Sequence, residues 1–205
     1  MYPEEIQYKG FTIKIEAEEN PQDPREPGFQ DHLGTMICFH KRYSLGDETD
    51  LTFDEFDGWK DLKKYIIKEL KSICIMPIYM YDHSGITIQT TPYGDNWDSG
   101  QIGFIYCTEK DRDKMGTQKK DLERILMGEV KEYDKYLTGE IYRYSIFKYD
   151  EDLNIGCGNW YGDQKDIIKD ARASIESHIK YQKKKADELM INYNRVRSGE
   201  SLLIF

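Results

Sequence analysis

The stretch that decides the fold is ICIMPIYMYDHSGITIQTT, residues 73 to 91. Ile73 to Tyr81 is almost continuously apolar, as expected of a buried strand, with Pro77 at a point where no ladder bond is donated. Asp82-His83-Ser84-Gly85 has turn composition, and Ile86 to Thr91 alternates again, so the segment predicts a β-hairpin. Working outward, Thr35 to Tyr43 and Gln101 to Thr108 read as further strands. Residues 8–17 form another, through the alternation of Phe11, Ile13 and Ile15 with Thr12, Lys14 and Glu16. Glu140 to Tyr149 and Ile155 to Tyr161 predict a second hairpin. Pro21, Pro24, Pro27 and Gly28 mark residues 18–30 as loop.

Three helices separate these strands. The first is expected to start at Thr52, with Glu55 three residues on in capping-box spacing, and to form one apolar stripe of Phe53, Phe56, Trp59, Leu62, Ile66, Ile67 and Leu70. The second carries Leu122, Ile125, Leu126, Val130, Tyr133 and Leu137 at helical spacing and ends at Gly139, suited to a left-handed cap. The third runs about thirty residues from Asp163, roughly 45 Å at 1.5 Å per residue. Hairpins dominate the order of elements, so the fold expected is α+β with a mostly antiparallel sheet. Two helices should cover one face. The expected division is a core domain over 1–162 and, over 163–205, a long C-terminal helix with an apolar tail at Ser201 to Phe205. The far half of such a helix either projects or packs against a second copy; because Leu189 and Met190 would otherwise be wet, a homodimer through that helix is the preferred alternative.

Composition narrows the function classes. The 205 residues carry 29 Lys and Arg against 38 Asp and Glu, a net charge of −9. That balance opposes bulk electrostatic capture of nucleic acid. No apolar run reaches the ~20 residues of a membrane span, and MYPEEIQYKG lacks secretory-signal character, so a cytoplasmic setting is expected. Cys38, Cys74, Cys107 and Cys157 lie far apart without metal-site spacing and read as reduced, buried thiols.

Chemistry-bearing residues concentrate in three loops at strand ends: Cys38 to Tyr43 with Gly46-Asp47, Tyr81 to Gly85, and Asp95 to Gln101. His40, Asp82, His83 and Asp98 form the candidate catalytic set, with Asp95 beside it. Imidazole and carboxylate together suit an acid–base pair or a divalent first-row metal, although no spacing preassembles such a site and no cofactor is predicted. The competing reading gives each a structural duty, with Asp82 closing a turn and Asp98-Ser99 tying a tight loop. Arg42, Asp47, Ser84, Trp97, Ser99 and Gln101 form the candidate binding set. Ser84 and Ser99 precede glycines but lack a nucleophile elbow. Trp97 either plugs a local core or serves as a binding hot spot. The six carboxylates between Asp47 and Asp57 suit a basic partner, or simply favour a helix N-terminus.

Several of these blocks, in order, resemble the signature of an uncharacterised family found in bacteriophages, plasmids and their hosts. They are Leu33-Gly34-Thr35-Met36 through Arg42-Tyr43, Leu45-Gly46-Asp47, Tyr81 to Gly85, Trp97-Asp98-Ser99-Gly100-Gln101 with Gly103, Tyr133 to Glu140, and Trp160-Tyr161-Gly162. The resemblance spans residues 33–162. Relatives often carry Cys-Pro where this chain has Asp95-Asn96, so that loop lacks their thiol. The resemblance implies a mobile-element setting and confers no reaction. The function expected is binding of a host protein, such as a CRISPR effector or another part of an antiviral defence system, in the manner of an anti-CRISPR inhibitor. The alternative is a small hydrolase, or a nucleotide- or metal-binding protein, using the His/Asp groups.

Overall fold

A computed structural model describes residues 4–94 and 97–198. The architecture is α+β, with two four-stranded antiparallel sheets and four α-helices among the described residues. The chain forms two compact units, residues 1–18 with 142–205, and residues 19–141. This division differs from the expected boundary at residue 162.

The discontinuous unit has strands β1 (Glu4–Tyr8), β2 (Phe11–Ala17), β7 (Tyr142–Lys148) and β8 (Glu151–Trp160) in that spatial order, with helix α4 (Gln164–Arg197). The strand expected over 8–17 is a hairpin: Lys9 and Gly10 both adopt positive φ, the twist a two-residue hairpin turn requires. Tyr149 and Asp150, also at positive φ, turn β7 into β8. The first half of α4 is not an appendage. Ile167, Ala171 and Ile175 are buried with Phe11, Ile13, Ile15, Tyr144 and Ile146, closing a core that the sheet could not close alone.

The continuous unit has its sheet in the order β3 (Thr35–Cys38), β6 (Ser99–Thr108), β4 (Ser72–Asp82), β5 (Ile86–Gln89). Its helices are α1 (Trp59–Lys68), α2 (Glu109–Met115) and α3 (Leu122–Thr138). Cross-strand partners share a face, which separates two cores. Met36, Ile105 and Cys107 pack with Leu122, Leu126 and Val130 of α3, whereas Ile37, Phe104 and Tyr106 pack with Leu62 and Ile66 of α1. The two helices therefore cover opposite faces of this sheet, not one face. Continuous burial of β6 from Ile102 to Cys107 follows directly.

Other boundaries also moved. The Thr52/Glu55 capping box closes only a single 3₁₀ turn over Phe53–Glu55, and α1 starts after Gly58, whose φ of 78° interrupts any helix. Residues 110–116, expected as a turn, belong largely to α2, which is capped by a Thr108/Asp111 box and closed by Gly116 in the left-handed region. Gly139 caps α3 as expected, at φ 73°. The strand expected over 35–43 stops at Cys38, so His40 lies outside it. The C-terminal apolar tail, 201–205, lies outside the described residues.

Candidate functional site

Strand direction sets where the three loops lie. β3 and β4 both run antiparallel to β6, so the C-terminal ends of β3 and β4 and the N-terminal end of β6 share one end of the sheet. The residues after Cys38, the turn after Asp82 and the segment before Ser99 therefore meet at a common rim. Two contacts between distant segments document this. Arg42 Nη2 pairs with Asp82 Oδ2, and His83 Nδ1 lies 3.2 Å from Asp98 Oδ2. A backbone bond from the Asp82 N–H to the Asp98 carbonyl, 2.8 Å, holds the last two loops in register.

The rest of the rim is aromatic and cationic. The His40 ring stacks on Tyr43, with centroids 5.0 Å apart and planes 10° apart, and the Arg42 guanidinium lies 5.3 Å from the same ring. Tyr81 packs against His83 and Tyr93. His40 therefore partners a tyrosine while His83 partners a carboxylate. Among the described residues, no three His, Cys, Asp or Glu side chains are grouped so as to hold a metal. Asp95 lies outside the described residues. Ser84 adopts φ 58° in the exposed turn, Ser99 opens β6 opposite Tyr81, and Gln101 donates to the Gly103 carbonyl at 3.2 Å.

Trp97 does not plug a core. Its surface is 95% exposed, directly beside Asp98. An open cavity of about 1320 Å³ occupies the region between the 38–45 loop and the acidic stretch, with Lys41, Arg42, Glu48, Asp50 and Asp54 among its lining. Phe39, Phe53 and Trp59, packed ring to ring at 5.6 and 4.3 Å, give it an aromatic wall. Cys38 also lines it, but desolvation pushes its thiol up to about 12, so it carries no thiolate at neutral pH.

Of the six carboxylates in the acidic stretch, two have internal duties. Glu55 accepts from the Thr52 N–H, and Asp47 is gripped from the other side. Glu48, Asp50, Asp54 and Asp57 are exposed.

The grip on Asp47 is the feature that sequence reasoning missed. Arg25, 6% exposed, donates from Nε to Asp47 Oδ1 at 2.8 Å, and its Nη2 pairs with Asp47 Oδ2 and reaches the Gly34 carbonyl at 2.8 Å. Its Nη1 lies 3.3 Å from Glu129 Oε2. Glu129 accepts in turn from the Leu33 and Gly34 N–H groups, at 2.7 and 3.1 Å, and Asp47 accepts from Met36 N–H at 2.7 Å. Burial raises the Glu129 carboxyl above its ordinary range, and these donors and the guanidinium oppose the shift. The Tyr133 hydroxyl accepts from the Gly46 N–H at 3.1 Å. Gly46 is obligatory, at φ 75° with Met36 O only 2.5 Å from where a Cβ would sit. A signal for this network was present: Glu129 interrupts the apolar stripe of α3, one turn from Leu126 and from Tyr133. A carboxylate at such a position demands a buried partner.

The Leu33–Asp47 blocks and Tyr133 thus hold the 38–46 loop in place from beneath, while His40, Arg42, His83, Asp98 and Trp97 project from the rim. Against known proteins, the chain matches no family model, no curated protein and no solved structure.

Proposed function

We propose that this chain acts by binding a protein partner through Trp97 and the exposed carboxylates Glu48, Asp50, Asp54 and Asp57. The observation that carries the reading is the 95% exposure of Trp97. Removing an indole from water contributes more than removing almost any other side chain, and Trp is enriched at binding hot spots. The exposed carboxylates, of which Glu48, Asp50 and Asp54 line the aromatic-walled cavity, suit a partner with a basic face, which they would attract over distance and orient on contact. The resemblance of its sequence blocks to those of phage and plasmid proteins supports a narrower proposal. On that resemblance, the chain belongs to a phage or other mobile element, its partner is a host protein, a defence effector such as a CRISPR effector, and the chain is its inhibitor.

The test is capture from a host lysate at physiological ionic strength. The intact chain retains a host protein that Trp97→Ala and the Asp50→Lys/Asp54→Lys double variant both lose. No captured protein, or equal capture by all three, overturns the reading. A second reading, a small hydrolase or nucleotide- or metal-dependent enzyme, rests on the 3.2 Å His83–Asp98 pair, which could move a proton. It requires turnover of a nucleotide or ester that His83→Ala abolishes.

A further inference from the structure

The second half of α4 carries a seam that no described residue of its own unit covers. Ile175, Ile179, Gln182, Ala186, Leu189, Tyr193 and Val196 recur at alternating spacings of four and three, a heptad pattern. The first two of these pack into the unit's core. From Gln182 the same line runs out of the core, with Leu189 and Tyr193 each 62% exposed and Val196 56%. A period of 3.5 is the signature of a helix that pairs with another helix along a narrow stripe.

The flanks of this seam say what kind of helix would fit. From Gln182 onward in the same register, Lys185 and Asn192 lie on one side, and Lys183, Met190 and Arg197 on the other; no flanking position in this half carries a carboxylate, and Glu176, one heptad earlier, is paired with Lys9. Within 180–197, cations outnumber carboxylates six to two, in a chain whose net charge is −9. Of the two carboxylates in that span, Glu188 lies 3.7 Å from Lys184, a residue on the helix side opposite the seam. Over the half from Gln182, a second copy would oppose cations to cations or to neutral residues in either orientation, gaining no flanking ion pair. Met190 and Ile191, 60% and 55% exposed, widen the apolar surface beside this line, but the seam's 3.5-residue period fits a partner helix, whereas anionic lipid imposes no such period.

We infer that the second half of α4 is a docking surface for an amphipathic helix of a partner protein whose seam is apolar and whose flanks are acidic. Complementary flanking charges select such a partner and set its orientation. This surface is independent of the Trp97 rim.

The test uses the full chain and two heptad peptides with Leu at both seam positions, one flanked by Glu and one by Lys, with fluorescence anisotropy as readout. The expected result is tighter binding of the Glu-flanked peptide by about tenfold, weakening with salt. Leu189→Asp removes the binding. Reversal of the flanks in a Lys183→Glu/Lys185→Glu/Arg197→Glu variant transfers the preference to the Lys-flanked peptide, a readout that a misfolded chain could not give. Binding of neither peptide overturns the inference, as does equal binding of both. So does self-association in sedimentation velocity that Leu189→Asp abolishes, or binding to phosphatidylserine vesicles without peptide discrimination.

Discussion

A single guanidinium organises the 38–46 loop. Arg25 bridges Asp47 and Glu129; Glu129 in turn holds the Leu33 and Gly34 N–H groups, and Asp47 holds that of Met36. Replacing Arg25 by Met leaves two desolvated carboxylates without their cation. The expected loss is about 3–5 kcal/mol in urea denaturation, because breaking a buried pair on one side exposes its full desolvation cost. Arg25→Met/Glu129→Gln should recover part of that loss, since the amide removes one of the stranded charges; no recovery would show that the cost lies elsewhere. Tyr133→Phe is the milder probe, leaving the Gly46 N–H without its acceptor for about 1–3 kcal/mol. At this scale the sequence was half legible. Glu129 stood out against its apolar neighbours, but Arg25, set among Pro24, Glu26 and Pro27, belongs to no periodic pattern. A partner 104 residues away leaves no trace in local composition.

Elements were legible where periodicity and caps agreed. Helix α3 has an apolar stripe and a glycine stop, and it forms as expected. Helix α2, EKDRDKM, buries no residue and so has no stripe to find; its only signals are the Thr108/Asp111 box and Gly116. At Thr52 the same kind of box misled, because a reciprocal cap satisfies a three-residue turn as well as a helix. The rim was legible as three loops at strand ends, since hairpin connectivity fixes which ends coincide. Which rim side chains touch was not, because rotamers decide whether Arg42 or His40 meets Asp82. Helix α4 combines two environments in one regular element, and a pair of matched truncations separates them. Ile175→Ala, in the core half, should cost about 2–5 kcal/mol in chemical denaturation. Leu189→Ala, in the exposed half, should stay within about 0.5 kcal/mol. Equal losses would mean that the seam is already covered in the isolated chain, contradicting a surface held open for a partner.

At the scale of the whole molecule, each unit buries a tyrosine hydroxyl that resists ionisation. Tyr133, in the continuous unit, is pushed up to about 12, chiefly by burial. Tyr144, in the discontinuous unit, is also pushed up to about 12, first by desolvation and then by its 2.8 Å bond to Asp170, to which the phenol donates. Both folded values lie above the ordinary phenol value of 10. The unfolded chain therefore releases these protons first as pH rises. The stability they contribute is complete below pH 10 and is lost as pH climbs through 10 towards 12. The urea midpoint should accordingly hold steady up to about pH 9 and fall beyond it, with tyrosinate absorbance rising in an early phase and a late one. General repulsion in a chain of net charge −9 also grows with pH and would produce a fall of its own. The Tyr133→Phe/Tyr144→Phe variant separates the two causes, because it keeps the charge of the folded chain nearly unchanged while deleting both late protons. Its midpoint should start lower and decline less steeply above pH 10, with a smaller late absorbance phase. A decline as steep as that of the parent chain would assign the alkaline loss to surface repulsion, and the two buried phenols would then have no part in it.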